Sequence, residues 1–197
     1  MEFNDTNNLE DRLKEWKLLK KEKGPQIPLF DVEFQFLENP RNQALLKALV
    51  LHARDTVNVV AFSDREELLL VEQYRFGIGE HLLELPAGFI DDGESALQAA
   101  QRELSEETGY ISSHWQYIGY SYINPSYVTN RCFHFLCSKA QCLKKIEPDQ
   151  TEDIRLVKIP KDNINHFLKE GGLKDAIGKA TIGAALELAN YSFIKPA

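Results

Sequence analysis

Arg102, Glu103, Glu106 and Glu107 stand close together in this chain, with Gly88 and Glu94 at fixed distances upstream. On a helix, the three carboxylates would share roughly one and a half turns and repel one another unless cations lie between them. A cluster that costs stability and is nevertheless concentrated fits a site for hard divalent cations, which take oxygen ligands. The alternative is an acidic helix face turned to water. That suffices for the glutamates taken alone, but not for the spacing of the whole segment 88–110.

Local signals mark the helix that carries these groups. Ser95 followed by Gln98 is a capping-box signature, so a helix is expected over about residues 96–108. Gly109 stands where a left-handed terminator belongs. Leu97, Ala100 and Leu104 are expected to form the buried stripe. Glu103 and Glu107, one turn apart, share another face with Glu106 beside them. Arg102 can orient a carboxylate by a bidentate contact. Gly88 permits a tight bend before the helix, where exposed carbonyls suit metal ligation. Asp91 and Asp92 read as a solvated acidic turn, favoured by the helix dipole.

Upstream, apolar residues at helix-like intervals over 9–23 (Leu9, Leu13, Trp16, Leu19) predict a short amphipathic helix, ended by Gly24-Pro25. Phe30, Val32, Phe34 and Phe36 alternate with polar residues as in a half-buried strand, and residues 45–52 can return as its hairpin partner. Apolar runs at 57–62, 68–74, 81–85, 118–123, 131–138 and 154–159 read as strands, and residues 163–170 and 175–190 as further helices. The order is mixed α/β, with strands outnumbering helices.

With 197 residues, 43% of them hydrophobic, the chain suits one compact domain with a small added element. The net charge of −7 argues against a nucleic-acid or anionic-membrane binder. No apolar run approaches a membrane span, and the acidic, polar start is unlike a secretory signal. Cys132, Cys137 and Cys142 read as reduced thiols of a cytoplasmic protein rather than a metal site.

The run Gly, five residues, Glu, seven residues, Arg-Glu-Leu-Ser-Glu-Glu-Thr-Gly resembles the Nudix box throughout; Tyr110 is its one loose fit, where the family more often has an aliphatic residue. The resemblance implies a Nudix-like α/β/α sandwich around a mixed β-sheet over residues 56–197. It also implies divalent-metal-dependent hydrolysis of a nucleoside diphosphate linked to another moiety, with Mg2+ or Mn2+ as cofactor. Glu103 and Glu107 would be the main metal ligands, Glu106 a further one, the carbonyl of Ala87 would complete the shell, and Arg102 would orient the glutamates. The flanking segments at 71–75 and 83–88 look like the branch that acts on ADP-ribose and other nucleoside diphosphate sugars. In that branch Arg75 would contact substrate phosphate, and Pro125 stands close to a proline of the branch; a surface ion pair and an ordinary turn are the competing readings.

The proton acceptor stays open. The branch's loop glutamate aligns with Gln150, which cannot accept a proton usefully, so Glu152, Asp149 or a box glutamate must serve instead. In this branch the region before the core often exchanges between subunits. Residues 1–55 are therefore expected to form a dimer-building extension, with Trp16, Phe30, Phe34 and Phe36 at the interface, against a base, or simply in the core. Hydrolysis of another nucleotide, such as a dinucleotide or triphosphate, and a nucleotide-sensing module without turnover are the alternatives. The complete set of box carboxylates speaks against the second.

Overall fold

The computed structural model describes residues 13–148 and 153–188. The chain forms two compact units. One takes in the described residues up to Ala53 together with Asn124–Thr129; the other holds Arg54–Ile123 and the described residues from Asn130 onward.

The first unit is a three-stranded antiparallel sheet, β1 (Lys17–Ile27), β2 (Phe30–Glu38) and β3 (Leu45–His52), in that order. The alternating phenylalanines form β2 and residues 45–52 pair with it, as expected. The helix expected over 9–23 does not form. Its described part leads into β1, which pairs with β2 along its length; residues 9–12 lie outside the described residues. Helix propensity differences among such residues are a few tenths of a kcal/mol each. They yield to the backbone groups of β2, which need a partner on that side. A register shift between Leu18 and Lys20 breaks the strict alternation, which is why β1 does not read as a strand. Pro25 falls at a second irregularity, between Lys23 and Gln26, in a strand at the sheet's edge, where a missing N–H is tolerated.

The second unit carries β4 (Thr56–Ser63), β5 (Glu67–Arg75), β6 (Glu80–Glu84), β7 (Ala87–Phe89), α1 (Ala96–Thr108), β8 (Tyr110–Ile111), β9 (His114–Tyr122), β10 (Arg131–Cys142), β11 (Ile154–Pro160), α2 (Ile164–Lys169) and α3 (Ala176–Leu188). Its sheet runs β11-β5-β4-β10-β8, with β6 on β5, β7 on β4 and β9 on β10. The β4–β10 pair is parallel and the others are antiparallel, so the sheet is mixed.

Both faces of this sheet are covered, which is why β4 and β5 are apolar at consecutive positions. On one face Val57, Val59 and Ala61 pack with Ala99, Ala100 and Leu104 of α1. On the other, Val60, Leu68 and Leu70 pack with Ile164 of α2 and Ile182 and Ala185 of α3. This is the expected α/β/α layering. Leu97 is a correction: it is 39% exposed. The buried stripe runs through Ala99, Ala100 and Leu104, with Ala96 partly buried against it, and Leu97 lies about 100° round from Ala96.

His134 joins three elements beneath α3. Its Nδ1 lies 2.9 Å from Thr181 Oγ1, whose proton goes to the Ile177 carbonyl at 2.8 Å. Nδ1 must therefore donate, and Nε2 accepts from Ser121 Oγ at 2.9 Å. Burial lowers the His134 pKa below its ordinary 6.5. The unfolded chain then binds the proton more readily, so this contribution is complete above about pH 6.5 and is lost as pH falls through the folded value. The thermal midpoint is expected to fall between pH 7.5 and 5.5, and His134→Gln to flatten that slope; equal slopes in differential scanning fluorimetry would refute the assignment.

Candidate active site

Helix α1 is capped at both ends as its sequence requires. Gln98 N–H donates to Ser95 Oγ at 3.3 Å, and Ser95 N–H donates to Gln98 Oε1 at 2.9 Å. Gly109 closes the helix at φ 72°, in the left-handed region, its N–H donating to the Ser105 carbonyl. These caps fix the rotation of α1 and hence the face that carries the charged groups.

Arg102 is the hub of that face. Its Nε and Nη2 donate to the two oxygens of Glu94 at 3.1 and 3.0 Å, the fork arrangement expected of a bidentate pair. Nη1 donates to Glu103 Oε1 at 2.7 Å and Glu106 Oε2 at 3.1 Å, and Nη2 also reaches the Phe89 carbonyl at 2.9 Å. The Arg102 pKa is raised, first by its bonds to Glu94; the same contact holds the Glu94 carboxyl below its ordinary range. A bidentate contact from Arg102 to a carboxylate is what its position predicts. The structure shows that the bidentate partner is Glu94, outside the box helix, and that Glu103 and Glu106 take one nitrogen between them.

Glu107 is 1% exposed and Glu103 8% exposed. Glu107 Oε2 accepts the Ala87 N–H at 3.0 Å. Gly88, paired to Val57 in β7, lies against Glu103, and a β-carbon built there would fall inside the Glu103 carboxylate. The bend at 87–88 thus brings main chain directly onto the two carboxylates that are one helical turn apart. Only glycine permits that approach at position 88.

Several of these groups border a cleft of about 370 Å3, within the roughly 300–1,000 Å3 common for small-molecule sites. Ala87, Gly88, Arg102, Glu103 and Glu106 contribute to its wall. Arg75 lines it too, while its Nε donates to Glu84 Oε2 at 2.8 Å. The ion pair and the cleft position are therefore both present, so the two readings of Arg75 do not exclude each other. Pro125 lies in the 124–129 loop of the first unit. Glu152, with Asp149 and Gln150, lies outside the described residues. Arg131 is engaged by Asp55 at 2.7 Å, and Asn130 Nδ2 donates to the Arg54 carbonyl at 3.0 Å; both have structural employment.

The cleft also contains residues that sequence reasoning passed over. Arg54 lies over the Phe89 ring at 4.5 Å and pairs with Asp91 at 2.9 Å, so Asp91 is exposed yet engaged. Asn58 and Asp175 line the cleft as well. Asn58 had a signal, a lone amide inside an otherwise apolar strand.

Among the described residues no three His, Cys, Asp or Glu side chains converge as a ready-made metal cage; Glu103 and Glu106 are turned to Arg102 instead. The donor chemistry nevertheless fits a hard divalent cation, with buried carboxylates and a backbone stretch held open by the missing β-carbon of Gly88. It does not suit a thiolate-bound ion. Burial pushes the thiol of Cys132, which also lines the cleft, up to about 11. Cys132, Cys137 and Cys142 are free thiols. Among the described residues no helix is long and apolar enough to cross a membrane.

Comparison with known proteins agrees with this geometry. The NUDIX domain profile matches residues 52–169. An ADP-ribose pyrophosphatase of Bacillus subtilis is 27% identical over 82% of this chain and 88% of its own length. A methanol dehydrogenase activator of Bacillus methanolicus is 26% identical over 84% of this chain and 89% of its own. A crystal structure of an ADP compounds hydrolase superposes with a TM-score of 0.82 at 24% identity, covering 93% of this chain and 99% of the other.

Proposed function

Since this chain belongs to the NUDIX family and is a Nudix pyrophosphohydrolase, we propose that it hydrolyses the diphosphate of ADP-ribose or a related nucleoside diphosphate sugar, with Mg2+ or Mn2+. The products are a nucleoside monophosphate and a sugar phosphate. The observation that carries this reading is the Arg102–glutamate array packed on Gly88 in the same cleft as Arg75. The name of the Bacillus subtilis relative supports the choice of substrate.

Glu103 and Glu107, with Glu106 and the Ala87 carbonyl, are the groups that would hold the cation. When bound, it neutralises phosphate charge and lowers the pKa of water. Arg102 bonds Glu103 and Glu106, so these carboxylates would turn from it to meet a cation, while its fork to Glu94 keeps the guanidinium in place. Arg75 supplies positive charge for a substrate phosphate, and Glu84 fixes its direction. Glu152 stands as the candidate proton acceptor and Pro125 as a candidate substrate contact. The acceptor must lie within hydrogen-bond reach of the attacking water. Leu18, Leu19, Leu45, Leu46 and Leu49 of the three-stranded sheet are exposed, which supports a homodimer built through that unit. A cytoplasmic location completes the reading.

The test is phosphate release with Mg2+ from ADP-ribose, other nucleoside diphosphate sugars, dinucleotides and triphosphates. The expected result is turnover confined to the sugars, ADP-ribose first. Preference for triphosphates or dinucleotides would replace the proposed substrate, and no turnover of any compound would leave a nucleotide-binding module.

A further inference from the structure

Two residues lining the cleft, Asn58 and Asp175, each carry a buried acceptor atom without a donor. Strand β4 buries Val57, Val59, Val60 and Ala61 completely and sets Asn58 among them at 5% exposure. Alternation along the strand puts Asn58 on the same face as Val60, toward α3. Its Oδ1 is buried and makes no hydrogen bond. Asp175 stands just before α3. Its Oδ1 accepts the Gly178 N–H, and its Oδ2 is buried with no partner. Both residues line the cleft that contains Glu103 and Arg75. The Asp175 charge also reaches Cys132, where after burial it contributes to the raised pKa.

Buried polar atoms without partners are rare in native proteins, because each has surrendered water for nothing. Two in one cleft point to a ligand that brings donors. A phosphate is the wrong chemistry, since it offers acceptors and negative charge to a carboxylate. A hydroxyl donates to Asp175, and it suits either orientation of the Asn58 amide because it can both donate and accept. We infer that Asn58 and Asp175 form a sugar-hydroxyl subsite, placing a sugar of the substrate against α3 while its diphosphate faces the glutamates. This rests on the reading that the substrate is a nucleoside diphosphate sugar.

The test uses Asn58→Val and Asp175→Asn; the second keeps an oxygen for the Gly178 N–H. Steady-state kinetics are compared on ADP-ribose, on β-methyl ADP, which lacks the terminal sugar, and on the ADP-ribose analogue with 2′-deoxyadenosine. Each variant is expected to raise KM for ADP-ribose about 10-fold, the loss of one hydrogen bond. That penalty should vanish on the analogue missing the bound hydroxyl. Its disappearance on β-methyl ADP assigns the terminal sugar, and on the deoxy analogue the nucleoside ribose. Asn58→Val should also raise the thermal midpoint by removing an uncompensated amide, the reverse of what a structural asparagine would give. A lowered midpoint, or equal penalties on all three compounds, or none, overturns the subsite. Failure of the unmodified protein to turn over any nucleotide sugar overturns the substrate reading, and the subsite with it.

Discussion

Glu107→Gln is expected to lower turnover of the preferred substrate about 100- to 1,000-fold, the range seen when one charge-stabilising group is removed from an enclosed site. The fold should remain. Glu107 is buried beside Ala87 and accepts its N–H, and a glutamine oxygen can do the same. What disappears is one negative charge in a setting where water cannot replace it. Titration calorimetry with Mn2+ separates this from a general defect: affinity for the ion should fall together with turnover, while the urea midpoint stays near that of the unmodified protein. Turnover and ion affinity both unchanged would remove Glu107 from the metal-binding set, and with it the reason for reading the box as a cation site.

The parts of this molecule that were legible in the sequence are those set by local rules. The capping box at Ser95 and the glycine at 109 are decided within a few residues, and α1 begins and ends where they say. The alternation of Phe30 to Phe36 likewise depends on one strand's own pleat. Residues 17–23 form a strand and not the expected helix because their state is decided by β2, and a bulge hides the period that would betray a strand. The fork partner of Arg102 is left unnamed by the sequence for a similar reason. Adjacent spacing points to a glutamate of the helix, whereas the fork closes on Glu94, the box glutamate eight residues upstream, brought near by the loop before the helix. Asp175 is legible only as the start of a helix; its place in the cleft depends on how α3 meets the sheet, a relation no short window contains. Function was readable further than fold at the N-terminus because the box is itself a local motif, whose charges, caps and glycine all lie between residues 88 and 109.

Gly88→Ala is expected to cost activity about 100-fold, the penalty of misplacing a reacting group by about 1 Å, with little change in stability. The added β-carbon would occupy the space of the Glu103 carboxylate. That carboxylate ends a flexible side chain, so it swings away rather than forcing the strand apart. Moving it off its rotamer costs about 0.5–1.5 kcal/mol. Alanine recovers about 0.4–1 kcal/mol by restricting the unfolded chain, since position 88 needs no positive φ. The two nearly cancel, so the denaturant midpoint should scarcely move while the 2.7 Å contact between Glu103 and Arg102 is lost. A double-mutant cycle locates the effect. If Gly88 acts through Glu103, adding Gly88→Ala to Glu103→Gln should cost little more than Glu103→Gln alone. Losses that multiply would mean the glycine serves the site by some other route, such as the backbone path of β7, and the packing of residue 88 on Glu103 would then be incidental to catalysis.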